Sequence, residues 1–403
     1  MNIAKAYSFI LHGEILVFWG AEAVSKSGSQ EYRCRCRALE ELKKHQRQEK
    51  DHCRAPTMLT WKLPRLLNVH QVPKVFHEDG IICGYRSPPS SATACVLSLF
   101  QMTNETLNIW THFIPTWYFL WRTLALLLSP GFLHDPFLWP LCVYLLSCCI
   151  YPLMSTCAHT FSVMSTQARH ICFFLDYGAL SLYSLGSAIA YSAYIFPDRW
   201  VNSTFHLWFV SWAVLNSVIS TAMSCYSRLG FPFLHYNLHL IERFPEEARP
   251  RLSKVLRVTA FAYPYLFDSI PLYYRLFLCS GQDCTHNDAL TMHIWHSILA
   301  LLTGFLFATH LPERLAPGRF DYVGHSHQLF HVFGIMGTYF QMEALIMDMN
   351  LRKKWLMDHS FMPSPSGTLG VWGSAMLISL LLIAVYSWAL YWKPKEQENR
   401  KNN

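Results

Sequence analysis

His327 and His331 stand four residues apart in the run Gly324-His325-Ser326-His327-Gln328-Leu329-Phe330-His331. On a helix that spacing puts both imidazoles on one face, where they can share one cation. Ser155 and His159 repeat the spacing in another apolar stretch. Three histidines with one position left open form the ligand pattern of a catalytic zinc, which lowers the pKa of bound water to about 7. His159, His327 and His331 are therefore the candidate metal ligands, and Asp176 is the candidate to hold or deprotonate the water, with Ser155 as its catalytic companion. The competing reading is plain: H-x-x-x-H occurs by chance in many helices, and intramembrane histidines hydrogen-bond between spans.

Glu105, Asn108 and His112 recur at i, i+3 and i+7, one stripe of a helix. Such a stripe either orients metal ligands from behind or bonds neighbouring helices and anchors at the interface with Trp110. Asp268, flanked by Pro264 and Pro271, marks a kinked helix facing a cavity, and is a candidate ligand contact or a packing group. His310 and Asp321 read as structural.

The elements that must position these residues are apolar blocks of about twenty residues recurring from Leu107 onward, each long enough to cross a hydrocarbon core of roughly 30 Å. Hydrophobic residues make up 52% of the 403 and charged residues only 15%, against about 25% in soluble domains. An all-α polytopic membrane protein follows, because an open sheet edge does not survive in lipid and the blocks lack a barrel's alternation. Eight spans are expected near 107–129, 137–159, 170–196, 204–225, 255–277, 291–311, 326–349 and 368–392. The net charge of +7 reflects membrane orientation rather than nucleic acid, since Lys and Arg concentrate in the N-terminal tract and particular loops.

That concentration orients the bundle. Lys62, Arg65, Lys74, Arg86, Arg169, the Arg228–Arg257 loop, Arg314, Arg319 and the final Lys393 to Lys401 all fall on one side, which places both termini in the cytoplasm. Arg199 sits opposite, and Arg352, Lys353 and Lys354 run against the rule. With this topology His159 ends span two, Asp176 lies about two turns into span three, and His327 with His331 opens span seven. All four fall in one layer near the inner leaflet, and ionisable groups at such depth are usually functional.

Residues 1–57 read as a tail outside the bundle; its apolar start is interrupted by His12 and Glu14, which argues against a signal peptide. Residues 58–106 read as a cytoplasmic amphipathic segment, 107–392 as the bundle and 393–403 as a short tail. The 13 cysteines show no zinc-ribbon spacing, but Cys279 and Cys284 bracket a polar loop and can pair in an oxidising compartment. The aromatic runs are interface belts and do not by themselves mark a steroid site. Asn202-Ser203-Thr204 is a glycosylation acceptor on the outer side.

Together, Asn104-Glu105-Thr106-Leu107-Asn108-Ile109-Trp110-Thr111-His112, Ser155-Thr156-Cys157-Ala158-His159, Phe174 to Gly178, Leu311-Pro312-Glu313-Arg314 and Gly324 to His331 are similar to the motifs of the progestin and adipoQ receptor family. From about Met58 onward the chain resembles the membrane progestin receptor branch, of gamma and delta type. The resemblance implies a seven-helix core with an inside N-terminus plus an eighth span. It also implies zinc on His159, His327 and His331, with Asp176 near the metal-bound water. It further implies a plasma-membrane progestin (steroid) receptor in contact with membrane lipids, giving rapid non-genomic signalling through a heterotrimeric G protein. The alternative it carries is a zinc-dependent intramembrane lipid amidohydrolase that cleaves ceramide-like lipids.

Overall fold

The computed structural model describes residues 64–229, 249–281, 284–360 and 363–391, all within one compact unit of residues 63–403. The 1–57 tract, most of the Arg228–Arg257 loop and the 393–403 tail lie outside the described residues. Ten α-helices are described: α1 Ala92–Leu97, α2 Thr106–Leu127, α3 Trp139–Phe161, α4 Thr166–Tyr194, α5 Thr204–Leu229, α6 Pro250–Asp268, α7 Ile270–Tyr273, α8 Ala289–Thr309, α9 Ser326–His359 and α10 Val371–Tyr391. The described residues hold no strand beyond an isolated Leu67–Tyr85 bridge.

Six of the helical stretches are long and apolar enough to cross a membrane, those of α3, α4, α5, α8, α9 and α10. The helices at the first and fifth expected spans fall short of that measure. α2 carries His112 and Arg122, and α6 opens on Arg251, Lys254 and Arg257. The fifth span is interrupted beside Asp268, where the flanking prolines marked a kink: α6 stops at Asp268, α7 runs for four residues, and a π-helical turn covers Tyr274–Leu278. The cause is backbone chemistry, since Pro264 and Pro271 supply no N–H to Ala260 and Phe267.

Helix neighbours form a closed series, α2–α3–α4–α5–α6–α8–α9 and back to α2, with α10 outside it against α4 and α5. Rows of exposed apolar residues mark the lipid face: Trp117, Trp121 and Leu124 on α2; Trp208, Trp212, Leu215 and Ile219 on α5; Ile294, Ile298, Leu301 and Phe305 on α8. Each row repeats at helical spacing, as a lipid-facing stripe must. Facing inward, small polar residues let α4 and α5 approach closely. Ser181 Oγ meets Ser220 Oγ at 2.9 Å, and Ser217 Oγ donates to the Ser181 carbonyl at 3.0 Å. At the α3–α4 crossing, a Cβ on Gly186 would lie 2.4 Å from Ser147 Oγ, so only glycine fits.

Two caps close the bundle. At the α9 N-terminal end the chain from Pro64 to Glu105 doubles back on itself around Val72, Phe76, Ile81 and Tyr85. Asp321 accepts the amides of Ile82 and Cys83 at 2.9 and 2.8 Å, tying this strap to the loop before α9. Gly80 is left-handed (φ 79°), and a Cβ there would lie 2.8 Å from the Glu313 carbonyl oxygen.

At the other end, Cys279 and Cys284 form a disulfide, as their spacing allowed, with Cα atoms 5.9 Å apart. Just beyond it, Thr285 donates to Asp198 through its amide (2.8 Å) and hydroxyl (2.6 Å). Arg275 clasps Asp348 with two bonds of 2.8 Å, and Asn287 and His293 approach the same carboxylate at 2.7 and 3.1 Å. Arg352 donates to Asp198 at 2.6 Å and Lys353 to Asp135 at 2.6 Å. Two of the three cations that ran against the charge rule are therefore paired with carboxylates and are not loose loop charges.

Candidate metal centre

His159 arrives on the last turn of α3, whose end is fixed by Arg86. This buried guanidinium donates to the carbonyls of His159 (2.5 Å) and Thr160 (2.8 Å), two acceptors that the end of a helix leaves unpaired. His327 and His331 arrive on the first two turns of α9, whose start is held by Glu313 accepting from the Ser326 amide at 2.7 Å and from its hydroxyl. One ligand atom from each of the three histidines lies within 4.8 Å of the others.

The ring orientations test whether this set suits a metal. His159 Nδ1 lies 2.8 Å from Glu105 Oε2, a carboxylate that can only accept once ionised. His331 Nδ1 lies 3.0 Å from the Asn108 carbonyl oxygen. Both rings therefore carry their proton on Nδ1 and turn the Nε2 lone pair toward the cluster, the arrangement of a ligating histidine backed by an acceptor. His159 Nε2 and His327 Nε2 stand 3.1 Å apart, and such a pair needs a proton or a cation between the lone pairs. Two nitrogens bound to a tetrahedral zinc at about 2.1 Å stand roughly 3.4 Å apart, close to that separation. The donor set fits zinc.

Around the cluster, Asn108 Nδ2 donates to Glu105 Oε2 at 2.7 Å, and His112 stacks on His331 with ring centroids 3.7 Å apart. Burial alone would raise Glu105, but the charges of His159 and Arg86, with hydrogen bonds from His159 and Asn108, hold its carboxyl well below the usual carboxylate range. Asp176 and Ser155 meet across α4 and α3, and Asp176 faces His159 and Arg228 electrostatically. His327 and Asp176 are partly accessible, while His159, His331 and Ser155 are buried.

Asp268 is not part of this cluster. It lies at the end of α6, buried, with Oδ2 accepting from Ser184 Oγ at 2.5 Å. Asp321 serves the strap, and His310 closes α8 in a left-handed turn (φ 55°). Sequence reasoning missed two neighbours of the cluster: Arg86, and Thr111, whose hydroxyl lies 3.3 Å from His331 Nδ1. Thr111 is four residues from Leu107 and shares the Asn108 turn, so the stripe could have been widened to include it. Arg86 carried no periodic signal.

A fold of this kind, with histidines from two helices meeting over a carboxylate-bearing helix start, defines the class. Residues 100–342 match the haemolysin-III-related family model, and the chain belongs to this family, which includes the progestin and adipoQ receptors. Among curated relatives it is 61% identical to membrane progestin receptor gamma-B of Danio rerio over 84% of this chain and 99% of that one. It is 56% identical to membrane progestin receptor delta of Homo sapiens over 84% of this chain and 94% of the relative. With membrane progestin receptor gamma of Homo sapiens the identity is 54% over 85% and 99%.

Proposed function

We propose that this chain is a plasma-membrane receptor for a progestin steroid that acts in rapid non-genomic signalling. The observation carrying the reading is the 54–61% identity to proteins named membrane progestin receptors along nearly their whole length. The ligand sits within the helical bundle, and the basic loop from Arg228 to Arg257 is the contact for a heterotrimeric G protein on the cytoplasmic side. The disulfide at the end of the bundle away from the strap supports this orientation, because disulfides persist on the oxidising side of a membrane. Saturable binding of radiolabelled progesterone to plasma membranes from cells expressing the chain is the test. Absence of such binding in correctly localised protein would sink the reading.

A second reading is favoured by one specific observation, the fit of His159, His327 and His331 to zinc. Bound there, zinc would supply Lewis acidity and a water with pKa near 7. Glu105 and Asn108 would orient the rings, and Asp176 with Ser155 would manage a proton beside them, roles that suit hydrolysis of a ceramide-like amide. Elemental analysis of purified protein, wild type against the His327→Ala, His331→Ala double variant, tests the metal. One zinc per chain, lost in the variant, is expected; no zinc in folded wild type leaves the histidines as contacts between helices.

A further inference from the structure

Along α4 from Gly178 to Tyr191, only Leu180, Tyr183 and Ser184 keep appreciable exposure. With Asp176 they recur at i, i+4, i+7 and i+8, one face of the helix. α4 is packed on α3, α5, α6, α9 and α10, and the stripe points between two of them. Ser184 donates to Asp268 of α6, while Tyr183 donates to Gln341 Oε1 of α9. The face is therefore an interior one that starts beside the histidine cluster and ends at Asp268. Eight residues of helix separate Asp176 from Ser184, roughly 12 Å of axial rise.

At the deep end stands an anomaly. Asp268 is 4% exposed, and its Oδ1 has no hydrogen-bond partner although Oδ2 is satisfied by Ser184. A buried polar atom left unpaired costs about 1–3 kcal/mol, and an accessible stripe leads to this one.

We propose that Asp268, held by Ser184, is the deep polar anchor of an elongated ligand cleft along α4. Its occupant is a long apolar molecule with an uncharged oxygen at its buried end. A protonated carboxyl donates to a ketone and an ionised one accepts from a hydroxyl, so Asp268 can meet either oxygen, whereas a carboxylate or phosphate end would be buried with no cation beside it among the described residues. The proposal rests on the steroid reading above for the identity of the ligand but not for the existence of the anchor. Asp268 then selects ligands by their polar terminus.

The test uses full-length protein in lipid nanodiscs and two probes, progesterone and oleyl alcohol, the latter carrying one terminal oxygen without a ring system. Wild type is expected to bind at least one probe. Asp268→Leu should weaken that binding by about tenfold or more, and Asp268→Asn, which keeps polar atoms in place, should restore it to within about threefold. Ser184→Ala, which frees the carboxyl without adding bulk, should weaken binding several-fold and carries the test if Asp268→Leu is not monodisperse. Equal affinity of wild type and the apolar variants, or no binding of either probe, overturns the anchor. Oleyl alcohol binding that depends on Asp268, without progesterone binding, removes the progestin reading and leaves the anchor standing.

Discussion

Glu105 shows how much of the candidate centre rests on one side chain. It lies at the turn before α2, accepts from both His159 and Asn108, and so fixes a ring on another helix and the residue whose carbonyl faces a third. Replacing Glu105 with alanine should lower metal affinity by about 10- to 100-fold, as loss of an acceptor behind a ligating histidine does, with the fold intact. Competition for zinc against a chromophoric chelator measures it, and unchanged affinity would separate Glu105 from the centre. The three histidines, Asp176 and the Glu105 stripe were legible in the sequence because helical spacing and alternating topology fix both face and depth. Arg86 was not, because its partners are backbone carbonyls more than seventy residues away, and no local pattern encodes such a contact.

At the scale of elements, the α3–α4 pair depends on the glycine at their crossing. Gly186→Val would drive two methyl groups into Ser147, which itself accepts from the Trp372 indole of α10 at 2.9 Å. The expected loss is about 1–3 kcal/mol, the usual cost of overpacking, read as a lower thermal midpoint in detergent. The variant should also loosen α10, seen as faster proteolysis of the C-terminal helix; a midpoint equal to wild type would show that the crossing can spread. Apolar block length revealed where the helices lie, and most boundaries fall within a few residues of expectation. The interruption of the fifth span was legible from Pro264 and Pro271, which lack the N–H groups a continuous helix needs; the four-residue restart and π-helical turn after it were not.

Across the whole molecule, the two ends of the bundle are held by different chemistry. The strap end uses side chains to cap backbone, and the disulfide end uses buried ion pairs. Arg275 and Asp348 are at most 1% exposed, and removing one member leaves the other charge uncompensated. Asp348→Ala should therefore destabilise the protein by about 3–5 kcal/mol, measured by thermal unfolding of protein in nanodiscs. A shift within error would mean that His293, Asn287 and Thr285 carry the cap without it. The Arg275–Asp348 pair was not legible beforehand, because its members lie 73 residues apart, and Arg352 and Lys353 read as exceptions to an orientation rule because their partners come from separate loops.

The two caps also decide what in this bundle can move. α9 is gripped at its start by Glu313 and near its far end by Asp348 and Arg352, so it behaves as a beam clamped at both supports and cannot slide like a piston. α6 is tied at its inner end by the Asp268–Ser184 hydrogen bond, and its helix breaks just beyond that tie, at Ser269, before a four-residue restart. Bending along this stretch is therefore easiest at that break, and the arm that would swing on it is α6.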